Sequence, residues 1–372
     1  MARRAGVFVE EFALGMGPLL LSFKGKPQKT VMFEEPTLDE DYATVEEGLP
    51  RHYVDTPRKL VETEESTQYS LRLLPIGGFC KMRGADETIP GDPTALNNKT
   101  IPQRMLVMAG GSLFNFIAAF ILFLVLVILD GYSVPQVHTV RPDTPAYHAG
   151  LMEGDRITHL NGRRVALFED FRIQMDFSGG NPIDVRFIRD GQRHSMYITP
   201  MYANGGFQLG FFVVRYFGYL DTVPEGESRV SALGSLSTSA EMILFNLRMP
   251  FTLLARLVAG DPVPEGAGVM GPIGMAADVT AIYQQVIQHG ILPTVLTMLF
   301  LMGLINAALG MMNLLPIPAL DGARLVFLGI EGIRKKPVPP EKEGMVHLVG
   351  FALLILLVVF IAYRDIMRII GQ

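Results

Sequence analysis

The sequence predicts a membrane protein with an α-helical transmembrane core of three spans, a membrane-associated β segment and an extracytoplasmic α+β domain. The 372-residue chain is 49% hydrophobic and has a mean hydropathy of +0.30, which is more apolar than is usual for a soluble protein. Three segments stay nearly free of charged side chains for about 20 residues, the length that crosses a bilayer. Between the first two, a more polar stretch has the strand and turn patterns of a folded domain.

The three predicted spans cover residues 104–130, 290–316 and 344–364. Basic residues beside a span mark its cytoplasmic end. Such residues are Arg324, Arg334, Lys335, Lys336 and Lys342 in the loop between the second and third spans, and Lys81, Arg83, Lys99 and Arg104 before the first span. Both regions are therefore predicted to be cytoplasmic. Residues between 130 and 289 are predicted to be extracytoplasmic, in a multi-pass protein of the cell inner (plasma) membrane.

Residues 1–26 and 69–103 are predicted to form a cytoplasmic, membrane-associated β region, because apolar residues alternate there with glycines. Unpaired strand edges cannot lie in lipid, so a sheet that dips into the membrane must be covered by protein or face a wet cavity. An ordinary cytoplasmic hairpin is the alternative. The only cysteine, Cys80, has no disulfide partner and is expected to be a small buried hydrophobic residue.

Residues 27–68 are rich in acidic residues and prolines and predict a disordered acidic insert, either a solvated loop or a regulatory segment. Residues 228–289 predict an amphipathic helix at the membrane interface, followed by a flexible glycine-rich linker. The net charge of −5 gives no reason to expect a nucleic acid partner. The lipid bilayer is the partner that these segments imply.

The extracytoplasmic domain is predicted to span residues 131–216. The patterns indicate a strand over Asp155–Leu160, a tight turn at Asn161-Gly162, a helix over Leu167–Phe177 and a hairpin about Asp190-Gly191. The stretch "TPAYHAGLMEGDRITHLNG", which begins at Thr144, resembles the signature of PDZ domains. This resemblance implies that peptide ends bind as an added strand beside a helix. A domain that acts only as a steric plug is the alternative.

The stretch "NLLPIPALDG" closes the second predicted span, and its Asp321 is the first charged residue after the uncharged run that follows His289. An ionisable residue at a membrane span is a functional candidate by default. Pro316 and Pro318 break the helix, so the backbone there must be paired or in contact with water. The alternative is that Asp321 only caps the helix that follows.

The same stretch resembles the NxxPxPxLDG motif of the site-2 protease family, specifically intramembrane zinc metalloproteases of the regulator-of-sigma-E-protease type with a single PDZ domain. The segments "ARRAGVFVEEFALGMGP", "YSLRLLPIGGFCKM", "NKTIPQRMLVMAGGSLFN" and "GPIG" also resemble the family, in the family's order. The resemblance implies Zn²⁺ as cofactor, Asp321 as a metal ligand, and Asn313, Pro316 and Pro318 as substrate-binding residues. It also implies single-span membrane proteins as substrates, such as anti-sigma factors or remnant signal peptides, in regulated intramembrane proteolysis.

The sequence departs from the family at one point. Family members have four spans, and the first carries an HExxH pattern that supplies two zinc-binding histidines and the catalytic glutamate. None of the seven histidines of this sequence lies four residues from another. We therefore expect no catalytic residue in this chain and no peptide cleavage by this polypeptide alone. A non-catalytic, membrane-anchored PDZ adaptor that binds peptides is the alternative function.

Overall fold

The computed structural model describes residues 1–33, 60–85, 92–203, 205–225, 227–259 and 272–370. They belong to two compact units. The first contains Met1–Gly110 and Arg324–Pro340, and the second contains Gly111–Ala323 and Glu341–Gln372.

The sheet of the first unit is formed by β1 (Val9–Lys24) and β4 (Gln68–Met82), which pair antiparallel. Phe12 of β1 lies opposite both Tyr69 and Cys80, so β4 flanks the first half of β1 on both sides. Two glycines of β1 have φ values of 85° and 81°, a conformation that glycine adopts without strain. They let β1 turn back, so that its second half pairs with β4 as well. The two segments predicted to share one sheet therefore do so.

Many apolar side chains of this sheet are exposed. Its exposed apolar residues are Leu14, Met16, Leu19, Leu20, Leu21, Phe23, Leu71, Leu73 and Phe79. The expectation that Cys80 is buried is wrong, because it lies next to Phe79 on this uncovered part of β4. Exposed apolar side chains in this number normally contact a membrane or a partner, and association with the membrane stays a prediction.

The acidic segment is ordered at both of its ends, where β2 (Gln28–Phe33) pairs antiparallel with β3 (Leu60–Glu65). The prediction of disorder over residues 27–68 is therefore wrong there. The pairing runs over six residues of each strand, from Gln28 opposite Glu65 to Phe33 opposite Leu60. Residues 34–59 lie outside the described residues.

Three described helices are long and apolar enough to cross a membrane, as predicted. They are α2 (Gly110–Asp130), α7 (Ile291–Leu314) and α9 (Pro340–Ile370). The first predicted span, 104–130, is wrong at its start, because a separate helix α1 (Ile101–Met108) ends one residue before α2. The break falls at Ala109-Gly110-Gly111, where two glycines weaken a helix by about 1 kcal/mol each relative to alanine.

The second unit has a core in which α2 packs against α7. Ala119, Phe123 and Ala307 are buried there, with Phe300 and Leu304 packed beside them. A Cβ on Gly303 would lie 2.6 Å from the Phe123 ring, so only glycine lets α2 approach α7 this closely.

The sheet domain also belongs to the second unit. Its sheet has the strand order β13-β12-β5-β6-β8-β9, and β7 pairs with β6. The strands are β5 (Gly131–Val140), β6 (Arg156–Leu160), β7 (Arg163–Arg164), β8 (Ile183–Arg189), β9 (Gln192–Ile198), β12 (Phe211–Phe217) and β13 (Ser228–Arg229), with a separate pair formed by β10 (Met201–Ala203) and β11 (Gly206–Gln208). The two helices are α3 (Pro145–Ala149) and α4 (Phe168–Asp176). The strand, turn, helix and hairpin that the sequence indicates are all present.

Two helices connect the sheet domain to α7: α5 (Ala232–Ala259) and α6 (Pro272–Ile287). The prediction for 228–289 is corrected at two points, since 228–229 form β13 and the predicted flexible linker is helical from Pro272 onward. Proline is well tolerated in the first turn of a helix, which explains that start. The carboxylate of Asp365 in α9 accepts a hydrogen bond of 2.8 Å from the Gly274 N–H, which stabilises this first turn further. Residues 260–271 lie outside the described residues, and the interfacial position of α5 stays a prediction.

Candidate functional site

The four residues predicted for the site lie on one helix–loop–helix segment. Asn313 is in the last turn of α7, Pro316 and Pro318 are in the loop, and Asp321 is the first residue of α8 (Asp321–Arg334). The helix ends here because proline lacks the N–H that continues a helix and clashes with the preceding turn. Leu315 is already extended, with φ −63° and ψ 142°.

A close backbone contact holds Asp321 beside the end of α7. A Cβ on Gly322 would lie 2.1 Å from the carbonyl oxygen of Leu315 and 2.5 Å from that of Leu314. Only glycine can therefore follow Asp321 in this conformation. The contact fixes the start of α8 against the last turn of α7, which also carries Asn313.

The hydrogen-bond donors of the loop can be accounted for one by one. The Leu315 N–H donates to Met312 O at 3.1 Å, the Ile317 N–H to Leu315 O at 2.7 Å, and the Leu320 N–H to Ile317 O at 3.1 Å. The two prolines have no N–H to satisfy. The remaining donor, the N–H of Ala319, has its acceptor in a distant part of the chain.

That acceptor is Nδ1 of His347 in α9, 2.9 Å from the Ala319 nitrogen. Ala319 has φ 77°, a left-handed conformation that costs a non-glycine residue about 1 to 2 kcal/mol. One turn further along α9, a Cβ on Gly350 would lie 2.0 Å from Cβ of Pro318. The third apolar helix thus touches two successive residues of the loop. His347 was not among the predicted site residues, although it is a lone histidine in an uncharged apolar run, and an ionisable residue in such a run is a functional candidate.

Asp321 is partly buried at the amino end of α8. The positive end of the helix dipole stabilises a carboxylate at this position by about 0.3 to 1 kcal/mol. A carboxylate in the first turn of a helix suits the capping interpretation, and a carboxylate is also one of the side chains that bind zinc in proteins. Both interpretations of Asp321 therefore remain compatible with its position.

The described residues do not by themselves form a zinc site. No group of three or more His, Cys, Asp or Glu side chains in the described part of the chain is placed to hold a metal ion. A catalytic zinc normally takes three protein ligands.

The sheet domain offers a second candidate site along β12. Within the described strands β13 pairs only with Tyr216 and Phe217, so the first part of β12 keeps an unpaired edge. Phe211 of this part contacts the ring of Phe171 in α4, with centroids 5.4 Å apart. A cavity of about 340 Å³ lies near by, lined by residues that include Arg215 and Glu169. Burial raises the pKa of the Glu169 carboxyl above its ordinary value.

Three of the described helices are long and apolar enough to cross a membrane, and a helix–loop–helix with a carboxylate follows the second of them. Together with the sheet domain, these features define a polytopic membrane protein. The chain belongs to Peptidase family M50, whose profile matches residues 54–357. This match and the relatives described next confirm the predicted family, the predicted metalloprotease class and zinc as the predicted cofactor.

Similar proteins carry corresponding names. The zinc metalloprotease RasP of Geobacillus kaustophilus is 27% identical, over 99% of this chain and 93% of its own length. RasP of Shouchella clausii is 28% identical, over 99% and 94%. CPE1693 of Clostridium perfringens, named as a candidate zinc metalloprotease, is 29% identical, over 98% and 92%. A PDZ domain of a SdrC-like protein from Listeria monocytogenes aligns with 22% of this chain and 90% of its own, at 21% identity and a TM-score of 0.21, which is too low to define a fold.

Proposed function

We propose that this chain forms the substrate-binding and third-ligand part of an intramembrane zinc metalloprotease that cleaves single-span membrane proteins, such as anti-sigma factors or remnant signal peptides. The observation that carries the proposal is the loop after α7, which sets Asp321 beside the end of an apolar helix. Asp321 would hold the zinc ion. When bound, zinc polarises a peptide carbonyl and lowers the pKa of its water ligand.

The neighbouring residues would bind substrate. The side-chain amide of Asn313 can donate to a carbonyl and accept from an N–H, so it can pair with the backbone of an unwound substrate segment. Pro316 and Pro318 keep the loop from continuing the helix, so α7 ends at Leu314, one residue after Asn313. A transmembrane substrate must lose its helix locally before its backbone can be attacked. The Asn313 amide would pair with the backbone groups that this unwinding exposes.

We further propose that residues 131–216 form an extracytoplasmic PDZ domain in a protein of the inner membrane. An extended peptide end would pair with the unpaired edge of β12 and lie beside α4, the arrangement in which a peptide adds to a sheet. A domain that only excludes large substrates is the competing function. Binding of short peptides with free carboxyl ends, lost when Phe211→Pro removes an N–H from β12, would decide for peptide binding.

The test of the protease supplies an HExxH helix ahead of Met1 and measures zinc content beside cleavage of a single-span substrate. Asp321→Ala and Asp321→Asn should lose zinc and activity together. Asn313→Ala should keep zinc and lower turnover about 5- to 150-fold, because a positioning hydrogen bond contributes about 1 to 3 kcal/mol. Asn306→Ala is the matched control, since the Asn306 amide donates to Met302 O within α7. Full zinc and normal turnover in Asp321→Ala would return Asp321 to a helix cap.

The absence of histidines four residues apart favours one other function, a membrane-anchored adaptor that binds peptides without cleaving them. The unmodified chain separates the two. Zinc-dependent cleavage by it, abolished in Asp321→Ala, would exclude the adaptor and would also contradict the expectation that this polypeptide alone is inactive.

A further inference from the structure

We propose that His347 is a positioning residue, which holds the loop between α7 and α8 in the conformation that aims Asp321. The proposal rests on the function proposed for Asp321. It adds a residue of the third apolar helix to a site otherwise built from the end of the second.

The hydrogen-bond account of the loop singles out this contact. The other N–H groups between Leu315 and Leu320 donate to carbonyls of the same segment, or are absent because the residue is proline. Ala319 alone donates to a side chain from another helix, Nδ1 of His347 at 2.9 Å. Ala319 also has the unfavourable φ of 77°, so the loop reaches this conformation only where an outside partner stabilises it.

The imidazole is largely buried. Only 19% of the His347 side chain is exposed. Because Nδ1 accepts from Ala319, a neutral ring carries its proton on Nε2, and this atom lies 3.8 Å from the Glu343 carboxylate one turn earlier. The ring therefore presents its lone pair to the loop.

Two further contacts place α9 so that His347 can reach the loop. Gly350 lies on the same helix face, and the absence of a side chain there lets Pro318 pack directly on α9. Toward the other end, Asp365 accepts from the Gly274 N–H. Most apolar side chains of α9 between these two positions are exposed, so the contacts at His347, Gly350 and Asp365 set the rotation of the helix.

Amide hydrogen exchange of the full chain in lipid nanodiscs tests the contact without any metal. His347→Phe keeps a ring and removes the acceptor, and it should speed exchange at Ala319 about 5- to 150-fold, which is about 1 to 3 kcal/mol at 1.4 kcal/mol per tenfold. His347→Asn places an amide oxygen near the former Nδ1 and should restore most of the protection. Leu348→Ala, at a neighbouring residue that is 69% exposed, is the control and should change nothing.

Exchange at Gly274 reports whether α9 stays attached through Asp365. If His347→Phe releases both ends, the asparagine variant decides: renewed protection at Ala319 supports the proposal, and its absence overturns it. Unchanged exchange at Ala319 in His347→Phe also overturns it.

The same variants with an added HExxH helix separate this proposal from the function on which it rests. His347→Phe should lower zinc content and turnover, with recovery in His347→Asn. Loss of zinc in Asp321→Ala but full zinc and turnover in His347→Phe would refute the positioning role alone. Full zinc and turnover in Asp321→Ala would refute the ligand assignment, and with it the positioning role, whatever the exchange at Ala319 shows.

Discussion

Replacing Gly322 with alanine should displace the residue proposed to bind zinc without altering its chemistry. The new Cβ would lie 2.1 Å from Leu315 O, whereas ordinary contact begins at 3.4 Å. Because the obstacle is backbone, the start of α8 must move by about 1.3 Å, and overpacking of this kind costs about 1 to 3 kcal/mol. A displacement of about 1 Å at a catalytic group can lower turnover about 100-fold. Chemical unfolding in detergent, with zinc content and cleavage in the form that carries an HExxH helix, measures each effect.

Gly329→Ala is the matched control on the same helix. No atom lies within 4 Å of a Cβ at Gly329, so alanine there should stabilise α8 by about 0.5 to 1 kcal/mol and leave activity unchanged. If Gly322→Ala proves as stable and as active as Gly329→Ala, the close contact between α7 and α8 does not exist and the reasoning about Asp321 fails with it.

Three other predictions concern parts outside this loop. In a Cys80→Ser background, Tyr202→Cys should react with an impermeant thiol reagent on intact cells, while native Cys80 should react only after lysis; the reverse pattern would invert the membrane orientation. Hydrogen bonds from a serine hydroxyl and an arginine lower the pKa of the Glu11 carboxyl. The β1–β4 sheet should therefore lose stability as the pH falls from the ordinary glutamate pKa through this lowered pKa. Amide hydrogen exchange in β1 should show this loss, and Glu11→Gln should remove the pH dependence. Arg248→Ala should destabilise the second unit by about 1 kcal/mol in urea unfolding, because the aspartate partner of Arg248 in α4 is buried. Arg164→Ala should destabilise it less, because the Arg164 side chain is 62% exposed, and equal effects of the two substitutions would contradict this ranking.

Much of the architecture could be predicted because its signals are local. Uncharged runs identify α2, α7 and α9, and the Asn161-Gly162 and Asp190-Gly191 turns have the positive φ values that such pairs favour. The errors occurred where contacts elsewhere in the chain decide the outcome. Pairing between β2 and β3 orders the ends of an acidic stretch whose composition indicates disorder. In the helix that begins at Pro272, the Gly274 N–H donates to a carboxylate 91 residues further along the chain, a contact that no local pattern encodes.

The candidate site divides in the same way. The motif from Asn313 to Gly322 was enough to select Asp321, Pro316 and Pro318, and the structure places all of them on one helix–loop–helix. It could not reveal why Gly322 is required, because the atoms that exclude a side chain belong to the carbonyls of the preceding helix. Among the described residues no group of three or more His, Cys, Asp or Glu side chains is placed to hold a metal ion, and the role of Asp321 as a ligand stays a prediction.

Local residue patterns therefore defined the apolar spans, three strands of the sheet domain (β6, β8 and β9), the helix break after the second span and the carboxylate that follows it, since hydropathy and turn preferences act over a few neighbouring residues. The N–H of Ala319 has no acceptor within the loop. Only the tertiary structure decided that His347 accepts its hydrogen bond. His347 and Ala319 are 28 residues apart, on different elements, and they meet because α9 packs with Gly350 against Pro318. The direction of a hydrogen bond depends on the placement and rotation of a whole helix, and that information exists only once the helices are packed.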